Sequence, residues 1–193
     1  MTKPDLLKHI AETGYNVGYG AKKHFATYDL AAKAPGFISF LTFAVGLCFL
    51  LIDFTAKKYF SVACIILGMV GIRISMWDHK KEDIANAGRK LTELFNKVKA
   101  LYYQVKGSEL DDLSSFERQL AALQKEYNAM CLSNQMLFSD WYAHYKFFWQ
   151  QQIGWIDEQL NFRLFRDKLP LSFTAAVGLL FAGGIVALVL HFV

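Results

Sequence analysis

Long apolar runs alternate with mixed polar segments along this chain. The first run, residues 34–52, has no charged residue until Asp53. At 1.5 Å per helical residue it spans about 28 Å, close to the thickness of a bilayer's hydrocarbon core. The second run, residues 59–77, is interrupted by Arg73, whose long side chain can extend to the headgroups from a position near a helix end. These patterns predict transmembrane helices at 35–53 and 59–77, with a buried hairpin in a soluble protein as the alternative.

The third apolar run, residues 171–193, is the clearest of the three. It is uncharged when His191 is neutral, and it follows Pro170, a residue that favours the start of a helix. As a helix it would be about 35 Å long, enough to cross a bilayer. We therefore predict a third transmembrane helix at 171–193.

Basic residues near the ends of the spans predict their orientation, because cytosolic flanks carry an excess of lysine and arginine. Five lysines precede the first span and two lie between the first and second spans. Two lysines follow the second span, and three basic residues precede the third. The consistent arrangement has residues 1–34 and 78–170 in the cytosol, with the short link and the C-terminus outside. The residues counted are Lys3, Lys8, Lys22, Lys23, Lys33, Lys57, Lys58, Lys80, Lys81, Arg163, Arg166 and Lys168.

The segment 78–170 is predicted to be a cytosolic helical arm. Apolar residues recur at helical spacing from Ile84 to Val105, and Gly107-Ser108 ends that stripe. Ser114-x-x-Glu117 matches a capping box at the start of a second helix, whose stripe consists of Leu120, Leu123, Tyr127, Met130, Cys131, Asn134 and Leu137. Two such stripes with a short link predict an antiparallel helical hairpin. Its matched limbs would return the chain to the membrane near Trp141.

Aromatic residues are concentrated where the arm is expected to return. Tryptophan and tyrosine favour the headgroup region, so residues 141–166 are expected to run along the inner membrane face. The alternative is that these rings form the base of the helical bundle, and the two interpretations are compatible. The predicted membrane-interface aromatics are Trp77, Trp141, Tyr142, Tyr145, Phe148, Trp149 and Trp155.

Charge and catalytic chemistry narrow the function. Residues 78–170 contain thirteen basic and thirteen acidic residues, so the arm lacks the basic surface that nucleic-acid binding requires. The histidines have no metal-ligand spacing, and no nucleophile–base pattern is present. We expect neither an enzyme nor a cofactor. The cysteines form no disulfide pattern.

Within the spans, Asp53 and Arg73 are the charges to consider, and their positions near span ends favour interface anchoring over an intramembrane role. Small residues allow close approach between helices, although such patterns also arise by chance. The helix-packing candidates are Gly46, Gly68, Gly71, Gly178, Ala182, Gly183 and Ala187.

The order of these parts resembles a known family. A helical lead-in that contains residues 14–25, Gly-Tyr-Asn-Val-Gly-Tyr-Gly-Ala-Lys-Lys-His-Phe, precedes Pro35-Gly36, a tight two-span hairpin and an amphipathic helix. Over residues 6–106 this is similar to the SLATT proteins, the SMODS- and SLOG-associating two-transmembrane effectors. The resemblance implies a prokaryotic inner-membrane protein that stays inactive until a sensor signals, then assembles and permeabilises the membrane. The third span departs from that pattern.

The sequence thus predicts an all-α membrane protein with an N-terminal transmembrane hairpin, a cytosolic antiparallel helical arm and a C-terminal transmembrane helix. The expected function is a non-enzymatic effector that oligomerises in the bacterial inner membrane. Its expected partners are the bilayer, further copies of itself and a sensor or signalling protein. A membrane-anchored adaptor and a regulated ion channel are the alternatives.

Overall fold

The computed structural model describes residues 1–51, 57–110, 112–130 and 135–192, and every regular element in these ranges is helical. The all-α prediction is therefore confirmed. Short 3₁₀ and π turns lie at Asp78–Lys80, Lys146–Gln150 and Leu164–Lys168. The α-helices are α1 (Lys3–Leu51), α2 (Lys57–Ser75), α3 (Lys81–Gly107), α4 (Ser114–Met130), α5 (Ser139–Tyr145), α6 (Gly154–Leu160) and α7 (Leu171–Phe192).

Helix α1 runs without a break from the arm into the predicted first span. Its 49 residues include Pro35, which removes one backbone hydrogen bond but does not end the helix. The membrane entry predicted at residue 35 therefore lies within one continuous helix. An unbroken α-helix of this length extends about 73 Å, more than twice the hydrocarbon thickness of a bilayer.

Helices α2 and α3 are joined by a short turn rather than a loop. Helix α2, residues 57–75, overlaps the second span predicted at 59–77, and Trp77 lies just before the 3₁₀ turn that leads into α3. The apolar stripe predicted for α3 is confirmed, since its members from Ile84 to Val105 are buried.

The arm is a bundle built around α1 and not a separate two-helix hairpin. Helix α3 runs antiparallel to α1 and is its main neighbour. The Lys3 ammonium donates to the Ser108 carbonyl at 2.7 Å at the far end, while Phe25 packs against Gly88 closer to the spans. The core joins residues of α1, α3, α4 and α6 with Phe147. Local patterns in residues 1–34 do not predict this arrangement, because the contacts with α3 join residues about a hundred positions apart at the far end of the arm.

Helix α4 begins at Ser114 as predicted, but not through a capping box. The Asp112 carboxylate accepts from the Ser114 amide at 2.9 Å, and Glu117 instead pairs with the N-terminal amine at 2.9 Å. Leu137, expected on the apolar stripe of α4, lies in a turn and is 77% exposed. Cys131 and Asn134 of that stripe lie outside the described residues.

The aromatic-rich residues 141–166 lie at two different positions along the length of the arm. Helix α5 packs beside the middle of α1, with Asp140 2.8 Å from Lys23. Helix α6 then lies against the far end of α3, where Glu158 pairs with Lys106 at 2.7 Å. Lys106 is about 37 Å along α3 from its first residue. The prediction that residues 141–166 follow the membrane face is therefore wrong for α6.

Candidate functional site: the membrane hairpin and the base of the arm

The outer surfaces of the predicted hairpin are apolar and largely unburied. Phe40 is 70% exposed on α1 and Ile72 is 69% exposed on α2, and other large apolar residues of both helices are similarly exposed. A helix from the core of a soluble protein would have these residues covered. Two helices of the described chain are long and apolar enough to span a bilayer, one containing residues 34–49 and the other containing α2.

The two helices of the hairpin pack against each other. An added Cβ at Gly71 would lie 3.5 Å from Ile38, and the rings of Phe49 and Phe60 meet edge to face at 5.5 Å. Gly71 is thus the predicted packing glycine that has a partner within the chain. An added Cβ at Gly46 or Gly68 would meet nothing within 4 Å in the described chain. These two positions are free to accept a neighbouring molecule.

Polar groups in the hairpin are accommodated locally. The Ser39 and Thr42 hydroxyls donate to carbonyls one turn back in α1, and Ser75 does the same in α2. Such bonds satisfy a hydroxyl inside a span without a partner helix. Arg73 lies in the last turn of α2, is exposed and points toward Met76, which suits the predicted anchoring role. Asp53 lies outside the described residues.

An ion-pair network connects α1 to the end of α5. Its position on α1 is about two helical turns before Pro35. Asp29, largely buried, accepts from Lys33 at 2.9 Å and from Lys146 at 2.6 Å. Burial disfavours the charged carboxylate, but the hydrogen bonds and positive charges of the two lysines outweigh it and lower the pKa of Asp29. Lys146 also lies over the Tyr142 ring at 4.7 Å. Removing Asp29 would leave two close cations unpaired at the base of the arm.

Glycines in the first part of α1 pack against large aromatic rings. A Cβ at Gly14 would collide with the Trp155 ring, and a Cβ at Gly18 would lie 2.7 Å from Phe95 and 2.9 Å from Phe147. Glycines inside a helix permit either close approach of a neighbour or a kink. The structure supports close approach, with α1 unbroken and the rings of α3, α6 and the π turn packed on its backbone.

The predicted interface aromatics divide between surface and core. Tyr145 and Trp149 are exposed, while Trp77, Trp141 and Tyr142 are half-buried. For these five residues, contact with headgroups stays a prediction. Trp155 is 4% exposed and packs on Phe95 and Tyr102, so the interface prediction is wrong for it. Phe148 packs on the core rings Phe147 and Phe162. The alternative interpretation, a ring cluster within the bundle, holds for these two residues.

Helix α7 is attached to the arm through its first turn. The Trp141 indole N–H donates to the Ser172 hydroxyl at 2.9 Å, and its ring meets Phe173 edge to face at 5.4 Å. The packing candidates Gly178, Ala182 and Gly183 are exposed, and an added Cβ at either glycine would meet nothing within 4 Å. The side chain of Ala187 lies outside the described residues. Insertion of α7 into the membrane stays a prediction.

Potential metal ligands are scattered over the described part of the chain. No group of three or more His, Cys, Asp or Glu residues comes close enough there to hold a metal ion. The titratable groups gathered at the base of the arm are paired lysines and carboxylates, which stabilise contacts between helices. Their arrangement suits a structural connection between α1, α5 and the π turn that follows α5.

An apolar, uncovered helical hairpin continuous with a packed helical arm is typical of a membrane protein. Residues 1–177 match the family model described as SMODS and SLOG-associating 2TM effector domain 6, and the chain belongs to this family. The match includes the whole arm and the first seven residues of α7, well beyond the resemblance over residues 6–106. No curated protein and no solved structure matches the chain.

Proposed function

We propose that this chain is a non-enzymatic effector of a bacterial antiphage or conflict system. In this proposal it assembles as a homo-oligomer in the inner membrane and permeabilises the bilayer when a partner protein signals. The family's description as a two-transmembrane effector domain supports the membrane as the target. The observation that carries the proposal is the uncovered hairpin, whose small-residue surfaces at Gly46 and Gly68 face open space in a single chain.

The arm is suited to transmit a signal to the hairpin. Helix α1 is unbroken between its core contacts, such as Leu6 and Ile10, and its lipid-facing residues, such as Phe40. A displacement of the bundle is therefore carried into the first span without an intervening loop. On the opposite limb, only a short turn separates α2 from α3. A sensor or signalling protein that binds the arm would act on both spans through these connections.

A depolarisation experiment tests the proposal in cells. Induced expression of the full chain in bacteria should collapse the membrane potential, reported by a voltage-sensitive dye, and reduce viability. High expression favours assembly by mass action, so no separate signal is needed. Unchanged potential and growth, with the protein shown to be in the membrane fraction, would instead support the adaptor alternative.

Matched variants separate assembly from insertion. Gly46→Leu adds bulk where the single chain has open space, so it should leave insertion intact and block close packing between copies. Val62→Leu adds apolar volume at another exposed position of the hairpin and should retain activity. Equal toxicity of Gly46→Leu and the wild-type chain would argue against assembly through the Gly46 surface. A voltage- or ion-selective current in place of general depolarisation would favour the regulated-channel alternative.

A further inference from the structure

An open cavity of about 490 Å³ lies between α1, α5 and the segment that enters α7. Tyr15 and Tyr19 line it from α1, His144 lines it from α5, and residues 169–172 line it at the start of α7. Its size falls within the roughly 300–1,000 Å³ typical of small-molecule sites. The cavity therefore has room for a ligand at the joint between the arm and the last helix.

Aromatic rings form the walls of this cavity. Tyr15 and Tyr19 are stacked one helical turn apart, with centroids 5.9 Å apart and planes 20° from parallel. His144 meets Tyr19 edge to face at 5.1 Å, and Phe162 lies 5.4 Å from Tyr15. The faces of such rings carry partial negative charge and attract cations, most strongly where water is excluded.

Two carboxylates add negative charge to the same walls. Asp140 and Asp167 both line the cavity. Burial raises the pKa of the Tyr19 phenol, and the negative charge of Asp140 raises it further. The pKa of the Tyr15 phenol is likewise raised, first by burial and then by the negative charge of Asp167. Lys23 lies 2.8 Å from Asp140, and Arg166 lies 3.0 Å from Asp167, which also accepts from the Arg163 amide at 2.9 Å. A carboxylate has about four lone-pair positions, so both keep the capacity to accept further.

His144 adds a polar group without adding positive charge. Burial lowers the pKa of its imidazole, with Asp140 opposing the shift only in part, so the neutral ring is favoured near neutral pH. Its Nδ1 atom is buried and has no hydrogen-bond partner among the described residues.

We propose that this cavity binds a compact organic cation, a quaternary or primary ammonium group carrying apolar carbon. The aromatic walls and the carboxylates both favour a cation, and the one guanidinium in the described lining, that of Arg166, is paired with Asp167. Because residues 169–172 form one side of the cavity, the occupant holds the first turn of α7 against α1 and α5. The binding step is independent of whether the protein permeabilises membranes.

Binding is tested by calorimetric titration of the full chain in detergent micelles with choline and with its neutral isostere 3,3-dimethylbutan-1-ol. Choline should bind at least about tenfold more tightly, the scale of a desolvated cation–aromatic contact. Benzenesulfonate, an anion of similar size, should not bind. Equal affinity for choline and the alcohol, or no binding of choline, would overturn the proposal.

Variants assign the binding to this cavity. Tyr19→Leu removes an aromatic wall and should weaken choline binding about tenfold, whereas Tyr19→Phe keeps the ring and should retain it. Asp167→Asn, on an exposed segment, should weaken binding even if Tyr19→Leu does not fold. Glu126→Gln removes a carboxylate that pairs with Lys97 elsewhere in the arm and serves as the control. Unchanged choline affinity in Asp167→Asn and in a folded Tyr19→Leu would place the site elsewhere.

Hydrogen exchange tests the effect on α7. The amides of Phe173 and Thr174 donate to the Pro170 carbonyl at 3.0 and 3.1 Å in the first turn of α7. Saturating choline should slow their exchange, and the exchange of α4 amides should not change. Choline binding with no added protection at residues 173–174 would contradict the proposed hold on α7.

Discussion

Substitution of Gly18 by alanine tests the packing that joins α1 to the rest of the arm. The added methyl group would lie 2.7 Å from Phe95 and 2.9 Å from Phe147, closer than real Cβ atoms approach other heavy atoms. Both rings are almost fully buried, so neither can move aside into solvent. The chain must therefore shift or unpack when Gly18→Ala is made.

Gly20→Ala is the matched control in the same helix. There the added methyl group would lie 3.7 Å from Leu91 and 3.7 Å from Tyr127, an ordinary contact distance. Both substitutions gain the same helix propensity, about 1 kcal/mol. That gain cancels in the comparison, so the difference between the two variants isolates the overpacking cost at Gly18, about 1–3 kcal/mol.

The measurement is thermal unfolding of both variants in detergent micelles, followed by far-ultraviolet circular dichroism. For a chain of this size about 1 kcal/mol corresponds to roughly 2–4 °C, so Gly18→Ala should melt roughly 2–12 °C below Gly20→Ala. Gly20→Ala itself should equal or exceed the wild-type Tm. A Gly18→Ala Tm at or above that of Gly20→Ala would refute the close packing described for α1.

Three further predictions concern the arm. Asp29→Asn should lower Tm at pH 7 because two lysines lose their partner. Since the pKa of Asp29 is lowered in the folded chain, the Tm difference from wild type should disappear as pH falls below about 4, which melts at pH 7 and below pH 4 would show. His24 is buried, and its pKa is lowered by burial and then by Lys23, so the imidazole takes up a proton more readily in the unfolded chain. The stability of the fold should therefore decrease as pH drops below about 6.5. In melts from pH 8 to 5, His24→Leu should reduce this pH dependence. Trp141→Phe and Ser172→Ala should each lower Tm slightly, and a double-mutant cycle should show coupling of about 0.5–1.5 kcal/mol; additive effects would contradict their hydrogen bond.

Features carried by local patterns were predicted well from the sequence. The α3 stripe depends only on helical spacing, and the start of α7 depends on Pro170 followed by an uncharged run. The apolar runs likewise gave the positions of α2 and of the membrane part of α1. Each of these signals lies within one element, so no knowledge of the tertiary structure was needed.

Features that depend on distant partners were not predicted. The ring of Trp155 packs against Gly14, more than a hundred residues away in the sequence. No local pattern distinguishes this buried tryptophan from the exposed Trp149. Likewise, Ser114-x-x-Glu117 has the composition of a capping box, but Asp112 takes the capping role and the N-terminal amine takes Glu117. In each case a tertiary contact or neighbouring group outweighed the local signal.

Reconstitution of the full chain into liposomes of bacterial lipids tests the effector proposal most directly. Wild-type protein at increasing density should release an entrapped dye and dissipate an ion gradient, and Val62→Leu should do the same. Gly46→Leu, inserted at equal density, should leave the vesicles intact. Intact vesicles with fully inserted wild-type protein at high density would contradict the proposal that assembly of the hairpin permeabilises the membrane.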